Sequence, residues 1–209
     1  LIREISLERP TLHLEVDANG SINWESNLGS RVPVLPLPVS QVSVAAGTLT
    51  LGSVAGAGRW EVQIDTLVYV LPRKGQNKQG QIKAQLSYAG NSVEITGVLG
   101  SLNSLASDQL APINLMFTGN SVSGSISGVV TSLRQAPTTD LYLDVSTWRL
   151  ESNLTDLLPG LPWQDDAILA GTVKATGHLV GNLGHDLRLE SVNLSTTALP
   201  LNFTMQGDL

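Results

Sequence analysis

The chain has no cysteine, and aromatic and charged residues are scarce. Without cysteine, its 209 residues cannot form a disulfide, a thiolate metal site or a cysteine nucleophile. Charged residues make up 14% of the chain and hydrophobic residues 42%, the reverse of the balance in a disordered protein. Because aromatic residues contribute only 4%, leucine, valine, isoleucine and alanine must supply most of the apolar surface.

Positive charge is also sparse. The formal net charge is −6, and lysine and arginine form no dense cluster. Nucleic-acid binding needs a cationic surface that displaces counterions, so we expect no nucleic-acid partner. The same charge disfavours electrostatic attachment to anionic lipid headgroups. No run of 18 apolar residues occurs, so no transmembrane helix is predicted; the strand-like start at Leu1 suggests a fragment of a longer protein.

What the sequence does contain, almost from end to end, is an apolar residue at every second position. "TLHLEV" and "DLYLDVSTWRL" are examples, and the pattern is typical of strands with one apolar and one polar face. Turn-forming residues separate the runs, and we predict turns at Ala46-Gly47, Ala89-Gly90-Asn91 and Thr118-Gly119-Asn120. We therefore predict an all-β fold, an antiparallel-rich sheet that forms one domain over residues 1–209.

Two segments depart from this alternation. "SNLTDLLPGLP" has leucines at helical spacing, which predicts one short helix near residues 152–158 that Pro159 and Pro162 keep short. "RVPVLPLPVS" carries three prolines within residues 31–40, and proline cannot donate to a strand ladder. We interpret that segment as an edge or an extended connector.

Metal chemistry has little support in the sequence. Asp17-Ala18-Asn19-Gly20 begins like a calcium-binding loop, but the twelfth position of such a loop is Leu28, so we favour a hairpin turn. The three histidines fall on separate strands or turns without the spacing of metal ligands, and His13 is expected on a solvated strand face; they are His13, His178 and His185.

Catalytic motifs are missing as well. No G-x-S-x-G nucleophile elbow occurs. Gly177, Gly181 and Gly184 have the wrong spacing for a dinucleotide fingerprint, and we predict hairpin turns there. We therefore expect no enzymatic activity, no catalytic residue, no cofactor and no metal.

The apolar positions of the strands are the candidate site. If the sheet curls without closing, these side chains line an open trough; a closed β-sandwich would show the same alternation, and both alternatives stay open. The predicted lining comprises Leu12, Leu14, Val16, Val42, Val44, Leu49, Leu51, Val62, Ile64, Ile82, Leu86, Val93, Ile95, Ile113, Leu115, Leu141, Leu143, Val145, Val173, Leu187, Leu189, Leu201 and Phe203.

Both ends of the chain resemble a known family. "IREISLERPTLHLEVDANGSINWES" is similar to the strand–turn segment of the AsmA-like proteins of Gram-negative envelopes, in which a proline-containing apolar strand precedes a glycine turn and an Asn-Trp pair. "NLTDLLPGLPWQDDAILAGTVKATGHLVGNLGHDLRLESVNLSTTALPLNFTMQGDL" resembles their C-terminal segment. The middle, residues 29–150, is only generically similar. We expect Trp24 to pack at one end of the trough as a structural plug.

The resemblance implies a setting and a function. AsmA-like proteins are anchored in the inner membrane and cross the periplasm as an elongated, curved sheet with an apolar inner groove that carries phospholipids between the membranes. We therefore expect a periplasmic lipid-transport module of an inner-membrane-anchored protein, whose groove shields phospholipid acyl chains and whose membrane contacts lie in other segments. The alternative is a scaffold for outer-membrane protein assembly that binds other envelope proteins through its sheet edges.

Overall fold

A computed structural model describes residues 3–16, 39–53, 59–71, 79–88, 90–100, 110–131, 138–147, 172–182, 187–196 and 202–208. These residues form a single open sheet of twelve strands and no helix, so the predicted all-β, antiparallel-rich class is confirmed. The strands are β1 (Glu4–Glu8), β2 (Thr11–Val16), β3 (Gln41–Ser53), β4 (Arg59–Val70), β5 (Gln79–Tyr88), β6 (Asn91–Gly100), β7 (Ala111–Gly119), β8 (Val122–Val130), β9 (Thr138–Thr147), β10 (Val173–Asn182), β11 (Arg188–Thr196) and β12 (Asn202–Asp208).

From β3 to β12 the sheet is a meander, in which each strand is antiparallel to the one before it. Antiparallel neighbours can be joined by a two-residue turn, as between β5 and β6 and between β7 and β8, whereas the connection between β9 and β10 is long. At the other end, β1 and β2 both run parallel to β3. Their pairings with β3 continue in one register, so the two short strands together act as one edge strand interrupted at Arg9 and Pro10.

The interruption explains why proline is tolerated there. Pro10 has no amide hydrogen, and its place between β1 and β2 spares the ladder that donor. Its carbonyl still accepts a hydrogen bond from the Thr48 amide at 2.8 Å, and the Arg9 amide donates to the Ala45 carbonyl at 2.8 Å. The edge therefore stays attached to β3 across the break.

Tight turns join the central strands where the sequence predicted them. Tyr88 pairs with Asn91 across a two-residue turn, and Gly90 there has a φ of 78°. This is the left-handed backbone that two-residue hairpins require and that glycine adopts without a steric penalty. Asn120 and Ser121 make the turn between β7 and β8.

Predicted turns are wrong at three places. Ala46-Gly47 lies inside β3, and Gly177 and Gly181 lie inside β10 opposite Leu143 and Thr139. Ala46 does have a left-handed φ of 53°, but a single such residue bends a strand without reversing it. Gly177 pairs with Leu143 of β9 and lies opposite the bulge of β11, so this glycine continues the strand and does not reverse it.

Other predictions fall outside the described residues. They are the short helix near 152–158, the turn at Asp17–Gly20, the Trp24 plug, the proline-rich segment 31–38, and the positions of Gly184, His185 and Leu201. The extent of the single domain over 1–209 likewise stays a prediction, although all described strands belong to one sheet.

Candidate functional site

Cross-strand register places the aliphatic residues of successive strands side by side. We call this side of the sheet the aliphatic face, and the opposite side the polar face. One row of paired residues on the aliphatic face runs through Val42, Tyr69, Ile82, Gly97, Leu115, Ile126, Leu143 and Gly177. The next row runs through Val44, Leu67, Ala84, Ile95, Phe117, Gly124, Val145, Ala175 and Leu194.

A row of backbone irregularities across the first strands keeps their apolar side chains on the aliphatic face. Arg9 and Ala46 have left-handed φ values of 51° and 53° and lie opposite each other in the register. In β4, Asp65 is an extra residue relative to β5. Because an extra residue reverses the alternation of faces, Val44 and Gly47 point to the same side although their spacing is odd.

The same device occurs near the other end of the sheet. Ser191 in β11 has a φ of 53°, and the register of β11 shifts there against both neighbours. Leu189 and Val192 therefore share the aliphatic face despite their odd spacing. The phase changes of the apolar pattern in the sequence correspond to these bulges.

The register puts the predicted lining residues together. All of those within described strands fall on the aliphatic face, and Leu187 directly precedes β11 in phase with Leu189. Val16, Leu51 and Phe203 are placed there by their backbone partners Ser53, Leu14 and Leu194. The face also includes residues outside the predicted lining, among them Leu67, Tyr69, Phe117, Val192 and Leu194.

Most side chains of the aliphatic face are only half-buried. Tyr69, Ala84, Ala111 and Val130 are buried, whereas Leu12 is 54% exposed. A domain normally buries such a face against a second layer of secondary structure. The described residues form one layer, and most of their side chains on this face keep part of their surface exposed.

Rings on the aliphatic face pack over glycines. A Cβ placed on Gly80 would lie only 2.4 Å from Cζ of the Tyr69 ring. A Cβ placed on Gly124 would lie 2.5 Å from Cζ of Phe117, so both rings need glycine beneath them. The Tyr69 hydroxyl donates a hydrogen bond to the Gly100 carbonyl at 2.6 Å. Burial raises the pKa of Tyr69 above its usual value near 10, against a smaller lowering by a backbone hydrogen bond from Gly80.

The polar face of the same strands carries ion pairs and hydroxyl groups. Lys83 Nζ lies 2.9 Å from Glu94 Oε1, and Lys174 Nζ lies 3.1 Å from Asp144 Oδ2. His13 is exposed on this face, as the sequence predicted. In the described part of the chain, no three histidine or acidic side chains are grouped to hold a metal ion.

One cluster on the polar face was missed by the sequence analysis. His178 Nε2 lies 2.7 Å from Asp140 Oδ1, and its ring stacks on Tyr142 with centroids 4.2 Å apart and an interplanar angle of 4°. Asp140 and Tyr142 share a face because they are two residues apart in β9. His178, however, lies 38 positions from Asp140 in the chain, and only the β9–β10 register brings them together.

Comparison with known proteins adds no relative. No family model matches the chain, and neither the curated proteins nor the solved structures include a significant match. Among the residues that the structure describes, no helix has the length and apolar character needed to span a membrane.

Proposed function

We propose that the aliphatic face is the inner surface of an open groove that shields the acyl chains of phospholipids. The observation that carries the proposal is the pair of cross-strand rows from β3 to β10, in which every position is aliphatic, aromatic or glycine. Most of their side chains stay partly accessible. An acyl chain of about twelve methylenes would gain roughly 10 kcal/mol if it were fully buried there, at about 0.8 kcal/mol per methylene.

An open groove suits an amphipathic ligand. The charged headgroup of a phospholipid loses a large solvation energy if it is buried without partners. A groove with one open side lets the headgroup stay in water while the acyl chains contact leucine, isoleucine and valine. The low aromatic content offers few specific contacts, which favours movement along the groove over tight capture at one point.

The proposal requires the sheet to curve toward the aliphatic face. Bulges and glycines within strands are the features that introduce such curvature. The bulges at Ala46, Asp65 and Ser191, and the glycines beneath Tyr69 and Phe117, support it. The groove, its elongated shape and its open side are part of the proposal.

The cellular setting is also proposed, from the AsmA-like resemblance of the two chain ends. In that setting the module lies in the periplasm as part of an inner-membrane-anchored protein. The groove would then form one section of a bridge for phospholipids between the inner and outer membranes.

Leu115 and Met116 offer a matched test. They are neighbours in β7 and similar in size, but Leu115 lies on the aliphatic face and Met116 is 61% exposed on the polar face. A photo-crosslinking amino acid at Leu115, or at Leu143, should capture phospholipid in cells, as detected by mass spectrometry of the protein. The same group at Met116 should capture at least fivefold less. Equal capture at both positions would overturn the proposal.

A charge substitution gives the second arm of the test. Leu115→Arg should reduce the lipid that copurifies with the chain several-fold, because the guanidinium opposes acyl-chain contact. Met116→Arg should leave it unchanged. If neither variant changes the lipid content, or if the unmodified chain holds no lipid, the groove does not bind acyl chains.

A second candidate is an assembly scaffold that acts through the sheet edges. Among the described residues, β1 and β2 pair only with β3, and β12 pairs only with β11. Unpaired backbone groups at an edge can add a strand from another protein. A proline at His13, in the edge strand β2, should harm this function and leave lipid content unchanged, which separates the two candidates.

A further inference from the structure

We propose that the stacked pair Tyr142 and His178, with the depression beside it on the polar face, binds an uncharged saccharide. This site lies on the opposite side of the sheet from the aliphatic face, so it is independent of the lipid proposal. It rests on the geometry of the two rings, on how they are held, and on the polar groups around them.

The Tyr142 ring is an exposed aromatic surface. Its residue is 58% exposed, although it lies in β9, a strand with paired neighbours on both sides. Saccharide rings present C–H groups on one face, and these are attracted to the electron-rich face of an aromatic ring. His178 is parallel to Tyr142 within 4°, so the two rings are stacked.

The pair is held in place before any ligand arrives. The Asp140 carboxylate accepts a hydrogen bond from His178 Nε2 at 2.7 Å and fixes the imidazole. β9 and β10 pair continuously from Val173 opposite Thr147 to Asn182 opposite Thr138. A ring already fixed in its bound position loses less conformational entropy on binding, which favours recognition by few contacts.

Hydroxyl and carboxylate groups surround the pair. The depression has a volume of about 450 Å³, which is within the usual range of about 300–1,000 Å³ for ligand pockets. Its lining includes Ser125, Ser127, Asp144 and Thr176. Serine and threonine hydroxyls both donate and accept, and a carboxylate accepts, which suits the many hydroxyls of a saccharide.

Charge favours a neutral ligand. The two carboxylates nearest the rings already have cationic or donor partners, Asp144 with Lys174 at 3.1 Å and Asp140 with His178. Glu190, on β11, lies opposite His178 in the register and adds negative charge on that side. The site therefore disfavours anionic ligands. Asp140 and Asp144 already have partners in His178 and Lys174, so neither carboxylate needs a cationic ligand.

Saturation-transfer NMR on the full chain tests the proposal, with maltotriose, cellotriose and triacetylchitotriose as probes. At least one should receive saturation, mainly at the C–H protons of one ring face. Tyr142→Ala should reduce this signal at least tenfold, Tyr142→Phe should keep it, and His178→Ala should weaken it. Val70→Ala, which removes another exposed side chain from the polar face at a distance from the site, in β4, is the matched control and should change nothing.

The outcomes that overturn the proposal are distinct. They are no transfer to any of the three saccharides, equal transfer in Tyr142→Ala, or binding of tetramethylammonium at Tyr142 without saccharide binding. If Tyr142→Ala does not fold, amide chemical-shift mapping on the unmodified chain decides. Shifts around Tyr142 and His178 support the site, and their absence contradicts it. Leu115→Arg should leave saccharide binding unchanged whatever it does to lipid content.

Discussion

Tyr69 and Tyr142 are the same residue type on opposite faces of one sheet, and they are held in opposite ways. Tyr69, on the aliphatic face, is 4% exposed, covers Gly80 and donates to the Gly100 carbonyl. Tyr142, on the polar face, is exposed and stacked on His178. The difference suggests that burial on the aliphatic face contributes most to stability, while the polar face displays rings and charges to solvent.

The largest expected effect comes from removing these two rings separately. Tyr69→Ala should lower the free energy of unfolding by about 3–5 kcal/mol, because a buried ring and its hydrogen bond are lost. Tyr142→Ala should cost less than about 1 kcal/mol, as for other exposed substitutions. Urea unfolding followed by circular dichroism measures both. Equal losses would mean that the two faces contribute equally to stability.

Glycines on the two faces give a smaller contrast. A Cβ at Gly128 would lie 2.0 Å from the Asp140 carbonyl oxygen, and Gly128 has a φ of 144°. Gly128→Ala should therefore destabilise the sheet by about 2–3 kcal/mol. Gly52, on the polar face, has only an ordinary contact at 3.8 Å. Gly52→Ala should change stability by less than about 1 kcal/mol, and thermal melting of the pair checks the difference.

The smallest expected effect is an alkaline loss of stability that depends on Tyr69. Burial raises its pKa in the folded state, so the unfolded chain releases the hydroxyl proton first. The stability that this group contributes is complete below about pH 10 and falls as pH rises through the folded pKa. Tyr69→Phe should show a shallower loss than the unmodified chain above pH 10 in pH-dependent urea unfolding. Identical slopes would contradict this assignment.

Much of the sheet could be predicted because its strands are long and their apolar residues alternate. The run "TLHLEV" coincides with β2, and the hairpin at Gly90 follows the turn residues. Ala46-Gly47 was misread as a turn because short-range turn preferences do not distinguish a reversal from a bulge. The better signal of a bulge is the odd spacing of Val44 and Leu49, a phase shift within one run of apolar alternation.

The site could be predicted only in part, for a reason that lies in register. Alternation tells which residues of one strand share a face, as it does for Leu141 and Leu143 in β9. It does not tell which residues of different strands are neighbours. The stack of Tyr142 on His178 depends on the β9–β10 register across a long connection, so no local pattern could indicate it.

The meander from β3 to β12 has a consequence for how such a protein can change in length. Within the part of the chain that the structure describes, each of these strands makes its substantial contacts only with the strands beside it, as in repeat proteins. A hairpin could therefore be duplicated or deleted within the meander without rebuilding a central core. Because neighbouring strands are about 4.8 Å apart, each added hairpin would extend both faces by about 10 Å. The extent of the sheet across its strands can thus change in steps of two strands.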